Sequence, residues 1–233
     1  MVRFCLLATF LCFIHRGDSK EADCFPSEWF KSVSMSMKIS KAGFHRDLQY
    51  SVQWSKIDHE VKALLVQQLP SGVYMDEYQL ETLRRDTGLE VLLDSKVDVE
   101  APEYLSSGFT VLVFLSGRRE AAVPVHGRYH RPSASSKRVK VYLDPARLLL
   151  RSDQCRTARA GLHRVVVEAP CTFSNHSICS WTEILDLQDS GGVSLELPVA
   201  DSSMLLTVCA GTVLTAVLSC VYLLRNIWKH GSF

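Results

Sequence analysis

Short stretches with alternating apolar and polar residues make up most of the middle of the chain. Between Leu48 and Trp54 every second residue is apolar, which is the two-residue period of a half-buried strand. Turn-forming sequences such as Pro70-Ser71-Gly72 separate these stretches. The further predicted strands are Lys62–Leu69, Leu89–Leu93, Phe109–Leu115, Ala121–His130, Arg138–Leu143, His163–Glu168 and Val193–Val199. The pattern predicts a mainly β fold, an antiparallel sandwich-like domain.

One segment has a different period. From Asp76 to Asp86 the apolar residues recur at roughly helical spacing. Asp76 is a suitable N-cap and Gly88 a suitable stop. We therefore expect one short helix among the strands.

Both ends of the chain are strongly apolar. Arg3 precedes an apolar run from Phe4 to Ile14, which is typical of a signal peptide and too short to span a bilayer. A second run, Met204 to Leu224, has no charged residue and is long enough to span as a helix. The predicted parts are a signal peptide (1–19), a lumenal β domain (20–203), one transmembrane α-helix (204–224) and a cytosolic tail (225–233).

The charges around the second run predict its orientation. Arg225 and Lys229 follow it, whereas no Lys or Arg lies between Arg164 and Met204. Positive flanks stay in the cytosol, which predicts a single-pass type I protein, and a signal peptide requires the same orientation. The alternative is a cleaved GPI-attachment signal with Ser190-Gly191-Gly192 as its small-residue site, but the basic tail favours a permanent helix.

The region between the apolar runs has the features of a secreted domain. Its length of about 180 residues suits one ordinary domain. The formal net charge of +1 does not indicate a nucleic-acid partner. An even number of cysteines predicts two disulfides, with the pairing left open among Cys24, Cys155, Cys171 and Cys179. An N-x-S/T sequon predicts glycosylation at Asn175.

Candidate catalytic groups are weak. His126 and His130 would share a helix face, but their segment has the pattern of a strand, in which they would lie about 13 Å apart, too far for one ion. Asp98 and Glu100 could form a carboxylate pair on one strand face, but the stretch before Pro102 has the pattern of a surface turn, and a solvated acidic edge is the favoured interpretation. None of the usual catalytic motifs occurs. We therefore expect no enzyme activity, no metal and no cofactor.

The second apolar run carries a periodic feature. Small residues recur every four positions at Thr207, Gly211, Thr215 and Ser219. On a helix they form one stripe, which lets another helix approach closely. We expect Gly211 and Thr215 to contact a membrane partner there.

Several distinctive blocks occur in a fixed order. They are Gly43–Leu48, Leu69–Asp76, Glu100–Leu105, Pro124–Pro132, Ala169–Cys171 and Cys179–Trp181. Together they resemble the PIG-X / Pbn1 family of accessory subunits of GPI mannosyltransferase I. The resemblance covers about Lys41 to the C-terminus, and Glu77 stands where the family pattern leads us to expect a proline.

The resemblance implies a function. Members of this family associate with a multi-span catalytic subunit, PIG-M, in the endoplasmic reticulum membrane and stabilise it. That enzyme transfers the first mannose from dolichol-phosphate-mannose to a glucosaminyl-phosphatidylinositol lipid on the lumenal side. The alternative is a cell-surface receptor or adhesion module, since a glycosylated β domain on one helix is equally usual there.

The resemblance also implies candidate partner-binding residues. These are His45, Arg46, Asp47, Tyr74, His126, Arg128, Tyr129 and His130. The alternative is that they serve the fold, with Phe44 and Tyr129 filling the core and Asp47 pairing with Arg128.

Overall fold

The computed structural model describes residues 25–40, 42–155, 160–161, 163–174, 177–187 and 191–231. Strands dominate this part of the chain until one long helix ends it. The elements in order are α1 (Ser27–Phe30), β1 (Ser34–Ser40), β2 (His45–Gln53), β3 (Lys62–Leu69), β4 (Val73–Tyr74), α2 (Glu77–Thr87), β5 (Glu90–Leu93), the 3-10 helix η1 (Glu103–Leu105), β6 (Phe109–Phe114), β7 (Glu120–Gly127), β8 (Arg138–Leu143), β9 (Arg147–Arg151), β10 (Arg164–Pro170), β11 (Ile178–Ile184), β12 (Val193–Pro198), the 3-10 helix η2 (Ser202–Met204) and α3 (Leu205–His230).

Three antiparallel sheets organise the described strands. The first has the order β1-β2-β7-β4, and the second has the order β10-β11-β9-β3-β6-β5. A two-stranded sheet of β12 and β8 completes the domain. The predicted mainly β antiparallel fold is therefore confirmed.

The two larger sheets share one hydrophobic core. In β2 the buried residues Leu48, Tyr50 and Val52 alternate with more exposed ones, as the sequence pattern predicts. They belong to the same buried cluster as Leu65 of β3 and Leu148 of β9. The sheets thus pack face to face as a sandwich.

One polar contact bridges the core. The Tyr50 hydroxyl lies 3.2 Å from Gln67 Oε1, and the Gln67 amide nitrogen donates to the backbone oxygens of Gln68 and Asp144. Burial raises the pKa of Tyr50, so its hydroxyl stays protonated and able to donate. The pair links the facing sheets without leaving these polar atoms unsatisfied.

The six-stranded sheet is buried on both faces in its middle. Leu64 and Leu149 point away from the main core and pack with Trp181 in a second cluster. Residues buried on both faces give continuous apolar runs rather than alternation. The run Leu148–Leu150 is such a case, which explains why β9 was not predicted.

Helix α2 follows its prediction closely. Asp76 is its N-cap, and Asp76 Oδ1 accepts a hydrogen bond of 2.9 Å from the backbone nitrogen of Tyr78. Gly88 ends the helix with φ of 69°, a left-handed conformation that favours glycine. Leu80 faces the core from this helix.

One local prediction was wrong at its end. The strand predicted over Ala121–His130 ends at Gly127, and the three residues after it leave the sheet.

The turn favoured for Asp98 and Glu100 is confirmed, and the two residues do not share a strand face. Asp98 Oδ1 accepts hydrogen bonds from the backbone nitrogens of Glu100 (3.0 Å) and Ala101 (3.3 Å), which makes this stretch a turn.

Helix α3 leaves the domain directly after β12. The helical stretch Ser202–His230 is long and apolar enough to cross a membrane. The most apolar part of this stretch is not buried against the rest of the described chain. An apolar helix without a protein neighbour suits a lipid environment. This agrees with the predicted apolar C-terminal helix.

Candidate functional site

Three of the predicted residues form a ladder of rings across neighbouring strands. His45 of β2 pairs directly with His126 of β7, and Tyr74 of β4 pairs with His126 on its other side. The two imidazole rings meet edge to face with centroids 4.7 Å apart, and the Tyr74 ring stacks on His126 at 5.0 Å. The ladder lies on the sheet face opposite the core, because the core side of β7 is occupied by Val123 and Val125.

Helix α2 contacts the ladder through Gln79. Gln79 Oε1 lies 2.7 Å from His126 Nε2, so the neutral imidazole donates its Nε2 proton to Gln79. His126 Nδ1 is buried and has no hydrogen-bond partner among the described residues. Burial lowers the pKa of His126, and the neighbouring His45 lowers it further, against a smaller opposing effect of Asp76. The site therefore holds His126 in its neutral form.

Arg128 is a buried cation with an exposed fraction of only 4%. Its Nη1 donates to the backbone oxygens of Asp98 (2.7 Å) and Ala101 (2.6 Å), and its guanidinium lies 4.8 Å from the Tyr74 ring centroid. Its backbone nitrogen donates to the oxygen of Gly72 at 2.9 Å. Burial lowers the pKa of Arg128, although an arginine remains charged at neutral pH. Arg128 thus holds the Asp98–Ala101 turn, β4 and β7 together.

His130 belongs to a separate small network. Its Nδ1 lies 3.5 Å from Glu103 Oε2, and the Ser71 hydroxyl donates to Glu103 Oε1 at 3.1 Å. The backbone nitrogen of Glu103 donates to the oxygen of Tyr129 at 2.9 Å. This network attaches η1 to the segment that follows β7. His126 and His130 therefore have different neighbours and do not face one another across a shared ligand position.

The remaining predicted residues lie near the surface. Tyr129 is 73% exposed, so it does not fill the core, and its ring centroid lies 4.9 Å from that of Phe44. Arg46 donates to the backbone oxygens of Gly43 (2.9 Å) and Glu196 (3.0 Å). Asp47 pairs with Pro124 in the sheet register and is half-buried. We call Phe44, Arg46 and Tyr129 the Phe44 patch; Tyr129 is exposed, whereas Phe44 and Arg46 are half-buried.

The geometry divides the predicted site into buried and exposed members. The buried His126 and Arg128, together with the half-buried Tyr74 and His130, hold β4, β7, α2 and η1 in place, whereas His45 and Tyr129 are exposed. No group of three or more His, Cys, Asp or Glu residues able to hold a metal occurs in the described ranges. The ladder and its neighbours form a packed polar cluster, in which His126 Nδ1, Arg128 Nε and His130 Nε2 are buried without a hydrogen-bond partner among the described residues.

The cysteine predictions have a partial outcome. Cys171 and Cys179 form a disulfide that closes the β10–β11 hairpin. Cys155 is also disulfide-bonded, and its partner lies outside the described residues. Cys24 and the sequon residue Asn175 lie outside the described residues as well.

Several residues of the site were missed by the sequence analysis. Gln79, Glu103 and Ser71 are distant in sequence from the residues that they contact. The alternation of β7 indicated only that His126 points away from the core. Which helix or turn lies above it is decided by the whole sheet order, which sequence spacing does not contain.

The fold and the site together define a class of protein. In the described part of the chain it is a disulfide-bonded antiparallel β domain, joined through η2 to one apolar helix that is long enough to cross a membrane. Some residues of its polar cluster are buried between the elements of the domain, and others lie at the surface.

Comparison with known proteins specifies the family. The PIG-X / PBN1 family model matches residues 41–228, so the chain belongs to this family. A human protein named "GPI alpha-1,4-mannosyltransferase I, stabilizing subunit" is 32% identical over 213 residues, which cover 86% of this chain and 82% of the human one. The rat protein of the same name is 28% identical and covers 86% of this chain and 84% of its own length. No solved structure matches the chain.

The role of Arg128 can be tested by a conservative substitution. Arg128→Lys keeps the charge but removes the guanidinium plane, whose Nη1 donates to two carbonyls and whose face lies against the Tyr74 ring. We expect it to lower the free energy of unfolding by about 2–3 kcal/mol. Arg138→Lys, at a position whose side chain is 71% exposed, should change it by less than about 1 kcal/mol. Denaturant unfolding of the purified full chain in detergent measures both, and equal effects would disprove the special role of Arg128.

The neutral state of His126 predicts a pH dependence. Because its pKa is lower in the folded than in the unfolded protein, the unfolded state binds more protons as the pH falls. The stability due to His126 is therefore complete above the unfolded pKa of about 6.5 and is lost progressively below it. His126→Gln should flatten the dependence of the melting temperature on pH between about pH 7 and pH 5, whereas Tyr142→Ser, at an exposed position without a histidine, should leave that dependence unchanged. An unchanged slope in His126→Gln would contradict the assignment.

Proposed function

We propose that this protein is the stabilising, non-catalytic subunit of a GPI mannosyltransferase I in the endoplasmic reticulum membrane. The family match carries the proposal, because it extends over both the β domain and the apolar helix. The human and rat relatives are named as stabilizing subunits, which favours an accessory role over a receptor, an adhesion module or an enzyme. The enzyme supported by this subunit would add the first mannose to the GPI precursor on the lumenal side.

We propose a type I arrangement for the chain. The β domain lies in the lumen, α3 spans the bilayer, and the basic residues Arg225 and Lys229 lie on the cytosolic side. Residues 1–19 act as the signal peptide that delivers this arrangement. In the lumen Asn175 is glycosylated, and Cys24 is the remaining predicted lumenal cysteine for Cys155.

The membrane contact uses the small-residue stripe of α3. An added Cβ at Gly211 would meet no heavy atom within 4 Å, so this position is open to a neighbour. The Thr215 hydroxyl donates to the backbone oxygens of Gly211 and Thr212, both at 3.0 Å. A hydroxyl satisfied within its own helix carries little desolvation cost in lipid, and the stripe stays narrow enough for close helix packing. We propose that a helix of the multi-span catalytic subunit, PIG-M, packs here.

The lumenal contact uses the exposed members of the predicted site. His45 and Tyr129 are exposed, with the half-buried Phe44 and Arg46 beside them, whereas Arg128 and His126 are buried and maintain the strands beneath them. Exposed aromatic and arginine side chains supply much of the binding energy at protein interfaces. We propose that this face meets the lumenal loops of the catalytic subunit.

The accessory role predicts a specific effect of removing the protein. Depleting it from cells should lower the abundance of the catalytic subunit together with GPI-anchored reporters at the cell surface. The measurements are immunoblotting and flow cytometry, together with affinity purification from mild detergent. Lost mannosyl transfer in a His126→Ala, His130→Ala double variant with a normal level of catalytic subunit would instead support an enzyme.

The stripe predicts a position-specific effect within α3. Gly211→Leu combined with Thr215→Leu adds bulk where close packing is proposed and should reduce co-purification of the catalytic subunit several-fold. Ala210→Leu combined with Ala216→Leu adds bulk to other faces of the helix and serves as the matched control. Equal co-purification of both variants, at equal expression, would exclude the stripe as the contact.

A further inference from the structure

Backbone hydrogen bonds define which end of the domain faces α3. The nitrogen of Ser133 donates to the oxygen of Ala200 at 2.9 Å, and the nitrogen of Val199 donates to the oxygen of Lys137 at 3.0 Å. Helix η2 follows at once and α3 begins at Leu205. The segment 133–137 therefore lies beside the chain that enters α3, and the domain has little freedom to move away from that helix.

The 3-10 helix η1 lies at the same end. Arg131 precedes Ser133 by two residues, a distance of at most about 7 Å along an extended chain. The Arg131 guanidinium lies 4.3 Å from the Tyr104 ring centroid, so Tyr104 is also close to this end. The hydrogen bond from the Glu103 nitrogen to the Tyr129 oxygen fixes η1 against the same segment.

This end exposes an unusual set of side chains. Leu105 is 73% exposed, and its neighbour Tyr104 is 44% exposed, with Arg131 stacked on it. Met204, at the entry to α3, is 50% exposed. We call Tyr104, Leu105, Arg131 and Met204 the juxtamembrane surface. An aromatic ring with a polar tip, an aliphatic chain and a cation are the groups favoured at the boundary between lipid and water.

We propose that the juxtamembrane surface rests on the phospholipid headgroups of the bilayer that α3 crosses. The proposal depends on the membrane span under the proposed function. Arg131 and the nearby exposed Lys137 pair with lipid phosphates, while Tyr104 and Leu105 enter the glycerol region. The occupant is lipid because this surface adjoins the start of α3, and six residues, 199–204, separate β12 from α3.

The contact has a consequence for the whole domain. A single membrane helix leaves the domain and the helix free to tilt and rotate together relative to the bilayer, whereas a second contact with the bilayer fixes the orientation of the domain. With η1 on the headgroups, the Phe44 patch is held at a constant height, because Tyr129 is bonded through its backbone to Glu103 of η1. The lipid contact thus presents the proposed partner surface in one orientation.

Lipid quenching of a site-specific fluorophore tests the contact. The full chain, with Cys209→Ser and Cys220→Ser, is labelled with an environment-sensitive dye at Leu105→Cys and reconstituted in phosphatidylcholine vesicles. Doxyl-labelled phosphatidylcholine should quench the fluorescence of this dye. The reference is the same dye on native Cys220 in a Cys209→Ser chain, and the loss of fluorescence at Leu105→Cys should be at least about half of the loss at Cys220. Ser116→Cys, in the exposed turn at the opposite end of β7, is the matched control and should not be quenched.

Substitutions and a second reconstitution separate the possible outcomes. Tyr104→Ser with Arg131→Ser should reduce quenching at Leu105→Cys, whereas the exposed Tyr142→Ser should not. Quenching at Cys220 without quenching at Leu105→Cys would overturn the lipid contact and leave the span intact. No quenching at Cys220 would overturn the span itself and the lipid contact with it. The dye at Leu105→Cys could instead be shielded from water only when the catalytic subunit is co-reconstituted. This result would show that protein covers the surface, and it would also overturn the proposal.

Discussion

The end of the domain beside the start of α3 depends on the burial of one arginine. Taking a guanidinium out of water costs several kcal/mol unless hydrogen bonds and a favourable surface compensate. For Arg128 the compensation comes from the carbonyls of Asp98 and Ala101 and from the face of Tyr74. These contacts tie the Asp98–Ala101 turn to β4 and β7. Since η1 follows this turn directly, the position of Tyr104 and Leu105 depends on the same arginine.

The sandwich beneath these contacts supplies the rigidity that they need. Two sheets that share one core hold β2, β7 and β4 at fixed spacing, so the His126 ring can meet His45 edge to face and stack on Tyr74. Neutral His126 can be buried there because its Nε2 proton reaches Gln79 and because no charge has to be desolvated. The core therefore positions the residues of the site. These residues hold the Asp98–Ala101 turn and η1 beside the start of α3.

Much of this fold could be predicted from the sequence, and the failures have physical causes. Strands with one buried face, such as β2, show clear alternation, and α2 has both of its caps in the sequence. Strand β9 is buried on both faces, so its Leu148–Leu150 run shows no period. The two-residue strand β4 is too short to have one. The family resemblance predicted Arg128 as a site residue. Its hydrogen-bond partners could not be predicted, because they are backbone carbonyls, which no side-chain pattern reveals.

The block Pro124–Pro132 shows why a distinctive motif need not mark a single site. Up to Gly127 it is a strand, and an added Cβ at Gly127 would lie 2.4 Å from Leu197, so glycine allows β12 to pack closely. Arg128 then turns inward, Tyr129 turns outward, and His130 turns toward Glu103. One segment thus serves the core, a buried cation, an exposed aromatic patch and the support of η1 in successive residues. Its distinctive sequence reflects several constraints at once, and only the outward-facing residues are suited to contact a partner directly.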